Sequence, residues 1–539
     1  MSGDARSASG HVDTFARQHL PPRAQWPELL FELPELRYPD RLNCTAALLD
    51  DADGSRIALH GAHATWTYAQ LKENVDRIAH VLRGPLGLVP GNRVLLRGAN
   101  TPMMAAAILA VFKAGCIAVP TMPLLRAREL ATIVAKAEVN AVLCAGELCA
   151  ELALLPDCPR TLRFGGDSAT GLEALMATQA AAFEPCDTAA DDVCLISFTS
   201  GTTGIPKGTM HFHRDILAIC DCFPRHTLRA QPDDLFIGTP PLAFTFGLGG
   251  LLLFPLRIGA AGVLLEKLTP ETLLQAIERH RATVCFTAPT FYRQMAALAP
   301  RFDLASLART VSAGEALPVA TRTAWQQATG LRMIDGIGAT EMLHIFIAAA
   351  GDDIRPGATG KPVPGYRACI LDDAGRPVGP GVIGRLAVKG PTGCRYLADE
   401  RQKDYVVDGW NVTGDAYEMD ADGYFLYRSR LDDMIISAGY NIAGPEVEDA
   451  LLRHPAVAEC GVIGRPDEER GQIVEAHVVL RPGHAASSAL TAQLQEFVKG
   501  EIAPYKYPRS IVYAEALPRT ETGKLQRFRL RTAAGKDQS

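Results

Sequence analysis

The chain has 539 residues, 47% hydrophobic and 21% charged, which is a globular rather than a disordered composition, long enough for about three or four domain-sized units. A net charge of −6 without a long basic run excludes generic nucleic-acid binding. Its 13 cysteines, an odd number in no regular framework, argue for free thiols in a reducing compartment.

In chain order, the opening MSGDARSASGHVDTFARQHL lacks the apolar core of a secretory signal, so a cytoplasmic protein is expected. Leu71, Val75, Ile78 and Val81 recur at helical spacing and predict a helix over 67–84. A strand over 92–98, an apolar helix over 101–115 and a strand over 116–123 follow. The helix–strand alternation repeats over 127–145 and 269–289. Such alternation predicts parallel sheets with crossover helices, whose ligands sit at the carboxyl ends of the strands. The close pairs Cys144/Cys149 and Cys220/Cys222 have no second pair at zinc-site spacing and read as core residues.

The apolar run Val193-Cys194-Leu195-Ile196 predicts a buried strand leading into SFTSGTTGIPKG, residues 197–208. This loop groups hydroxyls (Ser197, Thr199, Ser200, Thr202, Thr203) and glycines (Gly201, Gly204, Gly208) around Lys207. Glycines let backbone N–H groups curl around an anion, hydroxyls add rotatable donors, and lysine adds a point charge. The chemistry is polyphosphate binding, although the order differs from G-x-x-x-x-G-K-[ST]. The following MHFHRD carries His211 and His213, but with no third ligand nearby in sequence it does not read as a metal site.

The nearly apolar stretch 246–265 is long enough to span a bilayer. Its glycines, Pro255 and central Arg257 favour a buried helix, turn and strand instead. From about residue 363 short apolar runs separated by turn signals predict antiparallel hairpins. After Arg430 the pattern is that of a separate α+β unit, with helices expected over 447–457 and 488–502 and strands between them.

Five motifs then stand in order: the loop at 199–208, DGIGATE (335–341), NVTGD (411–415), YRSRLDD (427–433) and PRTETGK (518–524). This order resembles the adenylate-forming superfamily of acyl-CoA synthetases, adenylation domains and luciferases, from about residue 40 onward. The resemblance implies an α/β N-terminal domain of parallel-sheet subdomains with a small β-rich subdomain, over 1–430. A smaller mobile α+β C-terminal domain, 431–539, would pivot near Asp432. It implies ATP, Mg²⁺ and coenzyme A as cofactor and co-substrates. Membrane partners are not expected, and a homodimer is left open.

By the same resemblance Thr199, Ser200, Gly201, Thr202, Thr203 and Lys207 hold the β- and γ-phosphates. Thr340 meets the α-phosphate and Glu341 holds Mg²⁺. Ala313, Gly314 and Glu315 of SAGEALP pack near adenine. Asp335 and Gly336 join the nucleotide set, and Asp415 with Arg430 takes the ribose. Lys524 serves the acid-activation step as a movable charge, and Gly439 and Tyr440 border the CoA tunnel. Ile436 stands where many relatives carry a basic residue, which weakens a CoA contact at that position.

The combination of PPLAFTFGLGG (240–250) with GATEMLH resembles the benzoate-CoA and 2-aminobenzoate-CoA ligase branch. Phe244, Phe246, Gly338 and His344 would then line a flat aryl pocket, since aromatic walls stack on a ring and leave little room for a long chain. The expected activity is conversion of an aromatic carboxylate, 2-aminobenzoate ahead of benzoate, to its CoA thioester through an aryl-adenylate. Loading of a carrier-protein thiol is a second reading. A catalytically silent adenylate-binding protein is a third, disfavoured because Glu341, Asp415, Arg430 and Lys524 are all present.

Overall fold

A computed structural model of the chain describes residues 8–166, 170–199, 206–437, 440–467, 470–502, 504–519 and 524–536. Two mostly parallel sheets form its larger part. The first has six strands, in the order Arg160–Phe164, Ala141–Ala145, Arg93–Arg97, Ile117–Thr121, Val193–Thr199 and Lys207–Phe212. All neighbours in it run parallel except the last pair, an antiparallel hairpin in which Thr199 faces Lys207.

The second sheet has nine strands. Its parallel centre runs Met333–Gly338, Arg309–Ala313, Val284–Thr287, Leu235–Gly238, Ala261–Val263 and Ile57–His60. Antiparallel strands close both edges, with Ile345–Ala348 pairing beside Met333–Gly338.

The crossover helices start where local chemistry tells them to. Thr67 caps helix Tyr68–Arg83 in a reciprocal box with Gln70. Thr101 caps helix Pro102–Lys113, whose proline occupies the first turn, where no N–H is needed. Leu71, Val75, Ile78 and Val81 all pack into the main core, as their spacing predicts. The one interior charge of helix Pro102–Lys113, Lys113, is paired with Asp76 in that core.

The apolar stretch also folds as expected. A continuous helical run, Thr245–Gly247, Leu248–Leu253 and Phe254–Arg257, precedes strand Ala261–Val263, and its middle segment is a wide π-helical turn. Arg257 ends the run in a bidentate pair with Asp221, at 3.0 Å on both branches. Among the described residues no helix is long and apolar enough to cross a membrane.

Hairpin strands Arg367–Leu371, Ile383–Lys389, Trp410–Met419 and Phe425–Arg430 build a smaller antiparallel sheet. One short turn, Leu431–Asp433, leads into a last five-stranded sheet with its own apolar core of Ile435, Val447, Leu451, Val462, Val474 and Leu494 among others. The helix expected over 447–457 is shifted. It runs Gly444–Leu452, and Val457 opens the next strand. Pro445 sets the start, and Pro455 removes a donor and disfavours helical backbone at His454.

Candidate active site

The described part of the phosphate-type loop is its stem, since Ser200, Gly201, Thr202 and Thr203 lie outside the described residues. Thr199 and Lys207 face each other across that stem. The Lys207 ammonium lies 3.4 Å from the Tyr396 hydroxyl and 5.1 Å from the centre of its ring. Tyr396 in turn donates to Glu341 Oε1. Burial and the neighbouring Glu341 carboxylate push the tyrosine pKa far up, so it stays a donor.

Tyr396 reaches this place because residues 395–397 run along strand Lys207–Phe212. Met210 N–H donates to the Arg395 carbonyl at 2.8 Å and Leu397 N–H to that of Gly208 at 2.8 Å. Beneath them Arg395 and Asp215 form a fully buried pair at 2.7 Å. His211 binds the turn from below: its Nε2 lies 2.9 Å from the Thr340 carbonyl. Burial holds the His211 pKa down at about 3, so the ring is neutral and Nε2–H donates. Loop stem and Thr340-Glu341 turn are thereby hydrogen-bonded to each other.

DGIGATE forms the end of strand Met333–Gly338 and a single turn, Thr340–Met342. Ala313 pairs with Gly336 and Ser312 with Asp335 on adjacent strands, so the two expected nucleotide segments share one sheet edge. Burial raises the Asp335 carboxyl to about 7, against the opposing charge of Arg322. Thr290 donates to Glu315 Oε2 at 2.7 Å.

Asp415 and Arg430 are cross-strand partners, with Arg430 Nη1 2.9 Å from Asp415 Oδ1. Burial raises the Asp415 carboxyl and Arg430 works against it. Gly414 has φ +66°, and a Cβ built there would come within 3.2 Å of Arg430 Nη2. Glycine leaves the guanidinium its place.

Lys524 comes from the C-terminal unit. A Cβ built on Gly314, itself at φ +90°, would lie 3.7 Å from Lys524 Cε. Lys524 remains open to solvent as a residue, yet the protein around its ammonium lowers its pKa, chiefly by desolvation and against the pull of Glu315, Asp415 and Glu341. Those three carboxylates and this ammonium therefore face one cleft. Asp432 sits in the turn between the last two sheets, and Tyr440 opens strand Tyr440–Ile442; Gly439 lies outside the described residues.

A second cluster adjoins this cleft. His344 is 2% exposed and is surrounded by Phe223, Phe246, Phe254 and Phe286 at centroid distances of 6.0, 5.7, 4.4 and 6.4 Å. Its Nε2 lies 3.3 Å from the Phe246 carbonyl. Desolvation drops its pKa to about 3, so the ring is neutral and Nε2 carries the proton. Nδ1 is a buried acceptor without a hydrogen-bond partner. Gly249 makes room: a Cβ there would stand 2.4 Å from His344 Cδ2. Gly338 crosses directly against the His344 backbone, at 2.8 Å from a built Cβ. Phe244 precedes the helical run, half-buried, and joins none of these ring contacts among the described residues.

Sequence reasoning missed Tyr396, Phe223, Phe254 and Phe286. None carries a local signal, since each arrives from a distant element. It also missed that Cys44 and Cys194 fold beside His213, their ligand atoms all within 4.8 Å. His213 Nδ1 there accepts from the Cys44 backbone N–H at 3.2 Å, so the group is a hydrogen-bonded part of the core.

Two family models match the chain: AMP-binding enzyme over residues 50–396, and AMP-binding enzyme C-terminal domain over 446–524. The chain belongs to the AMP-binding, adenylate-forming enzyme family. It is 35% identical over 515 residues to a benzoate–CoA ligase of Thauera aromatica, covering 93% of this chain and 98% of the relative. The solved anthranilate CoA ligase AuaEII, in complex with anthranoyl-AMP, superposes with a TM-score of 0.89 at 33% identity, over 94% of this chain and 100% of that one. A benzoate CoA ligase from Burkholderia xenovorans LB400 gives 0.83 at 32%, over 91% and 100%. Within the family the chain stands on the aromatic-acid side, and the family's reaction uses ATP, Mg²⁺ and CoA.

Proposed function

We propose that the protein is an aryl-CoA ligase that transfers AMP from ATP to an aromatic carboxylate with release of pyrophosphate, then passes the aryl group to the CoA thiol with release of AMP, and that it prefers 2-aminobenzoate over benzoate. The observation that carries this reading is the buried aromatic cluster around His344, which lies three residues past Glu341, between the Thr340–Met342 turn and strand Ile345–Ala348. Flat rings there suit a planar acid whose carboxylate points to the nucleotide cleft.

The preference for an amino substituent rests on His344 Nδ1. With its proton on Nε2, the ring offers Nδ1 as a buried acceptor, and an N–H donor on the acid would satisfy it. A benzoate lacking that donor leaves the atom unpaired, and sites built for a hydrogen bond discriminate sharply against its absence.

In the first step Thr199 and Lys207 take phosphate oxygens, Asp415 accepts from the ribose hydroxyls with Arg430 beside it, and Ala313, Gly314 and Glu315 line the adenine. Asp335 and Gly336 complete that edge. The oxygen donors of Thr340 and Glu341 fit Mg²⁺, a hard cation, better than a soft one. When bound, Mg²⁺ neutralises charge on the triphosphate. Lys524 lies close to Gly314 and among carboxylates, where its ammonium can neutralise charge as carboxylate oxygen approaches the α-phosphate. The C-terminal unit, 431–539, then turns about Asp432 and exposes the adenylate to a thiol entering beside Gly439 and Tyr440.

A panel of benzoates and short fatty acids, read by pyrophosphate release and CoA thioester formation, tests the reading. Preference for 2-aminobenzoate that His344→Phe abolishes is expected. A chain-length preference for aliphatic acids, or transfer only to a carrier-protein thiol, would overturn it.

A further inference from the structure

The seam between the C-terminal unit and the rest is polar. Among the described residues the apolar core of that unit is drawn from its own side chains, so this core stays whole when the unit moves. Charged contacts cross the seam. Helix Val319–Thr329 belongs to the nine-stranded layer, and its N-cap residue, Pro318, offers no side-chain cap. The cap comes from across the seam, where Asp449 Oδ1 accepts from Val319 N–H at 2.9 Å. A carboxylate is well placed there, since it meets both an orphan donor and the positive end of the helix.

Glu459 makes the second crossing. Its Oε1 pairs with Arg293 of helix Pro289–Leu298 at 3.2 Å, while its Oε2 accepts from Arg519 at 2.8 Å. Arg519 also faces Glu315, at 3.9 Å. Arg519 is the bridge partner of Leu525, the residue next to Lys524, so Glu459 and Glu315 act on Lys524 through Arg519.

We infer that Asp449 and Glu459 are positioning residues, a latch that holds Lys524 over Gly314 for acid activation and must open for thioester formation. This rests on the two-step reading given above. Each contact is of the size that biases a two-pose equilibrium by about fivefold, enough to hold and weak enough to release.

The test uses the full-length enzyme and measures the two half-reactions separately in single turnover. Asp449→Ala is expected to slow adenylate formation about fivefold and to leave unchanged or speed thioester formation from added aryl-adenylate and CoA. Asp449→Asn, which caps as well as Asp, should restore the parent behaviour. Glu459→Gln should slow the first step severalfold and flatten its salt dependence. Hydrogen exchange at the start of helix 319–329 supplies a readout that needs no turnover: protection there should fall in Asp449→Ala and persist in Asp449→Asn. Equal slowing of both half-reactions, an unchanged ratio, or no rescue by Asn would overturn the latch. If the parent enzyme activates no benzoate, the functional reading fails, while the exchange measurement still judges the cap.

Discussion

The cleft around Lys524 and the cluster around His344 are neighbours built on opposite principles. The cleft holds the charges of Glu315, Glu341, Asp415, Arg430 and Lys524. The cluster holds one neutral imidazole among four phenylalanines. Charges gathered in a cleft can meet a triphosphate, and substituting them should change chemistry more than stability. Close-packed rings fix a shape, and substituting them should change stability and acid choice together.

The largest expected effect tests the cleft. Lys524→Ala should lower aryl-adenylate formation by about a hundredfold or more, the size of losing one well-placed charge partner, and spare the thiol step from preformed adenylate. Equal loss in both half-reactions would contradict a charge that serves one pose. Next comes the cluster. Gly249→Ala places a methyl against His344 and should destabilise the fold by about 1–3 kcal/mol, read as a lower denaturant midpoint, with a raised KM for the acid. Unchanged stability would mean that the rings yield more easily than close packing allows.

A smaller effect is expected at Tyr396→Phe, which removes the hydroxyl between Lys207 and Glu341. KM for ATP should rise severalfold, at nearly constant thermal midpoint, because the ring stays.

A pair of opposed pH slopes supplies the last test. His344 has a folded pKa of about 3 against an ordinary value of 6.5. The unfolded chain therefore binds the proton first, and stability is lost as pH falls from 6.5 toward 3. Asp335 goes the other way. Its folded pKa of about 7 stands above the ordinary 3.8, so its contribution is intact below 3.8 and lost as pH rises toward 7. Unfolding midpoints of Asp335→Asn should thus lose less than the parent between pH 4 and 7, and those of His344→Phe should lose less on acidification. A parent-like slope in either variant would remove that group from the balance.

The fold class and several of the alternating helices and strands were legible in the sequence because the two kinds of element carry distinct apolar periods. The helix at 444–452 was displaced in the reading because apolar spacing alone does not register what Pro445 and Pro455 do to its ends. In the site, motif residues stood out where several chemistry-bearing side chains fall in one short loop. Tyr396 did not, since it meets Lys207 only after residues 395–397 align with a strand almost two hundred positions earlier. Phe223, Phe254 and Phe286 read as ordinary core, and their convergence on His344 exists only in three dimensions. Asp449 looks like any surface acid on its helix, and its partner amide belongs to a different helix.

The wide turn at Leu248–Leu253 holds more residues per turn than an α-helix, between Phe246 on one side and Phe254 on the other. Removing a single residue there would return the run to ordinary winding and leave the two rings on nearly the same bearing, because a wide turn spreads about one residue of extra length over the same rotation. A lineage could therefore gain or lose one codon in this helix without scattering the rings around His344.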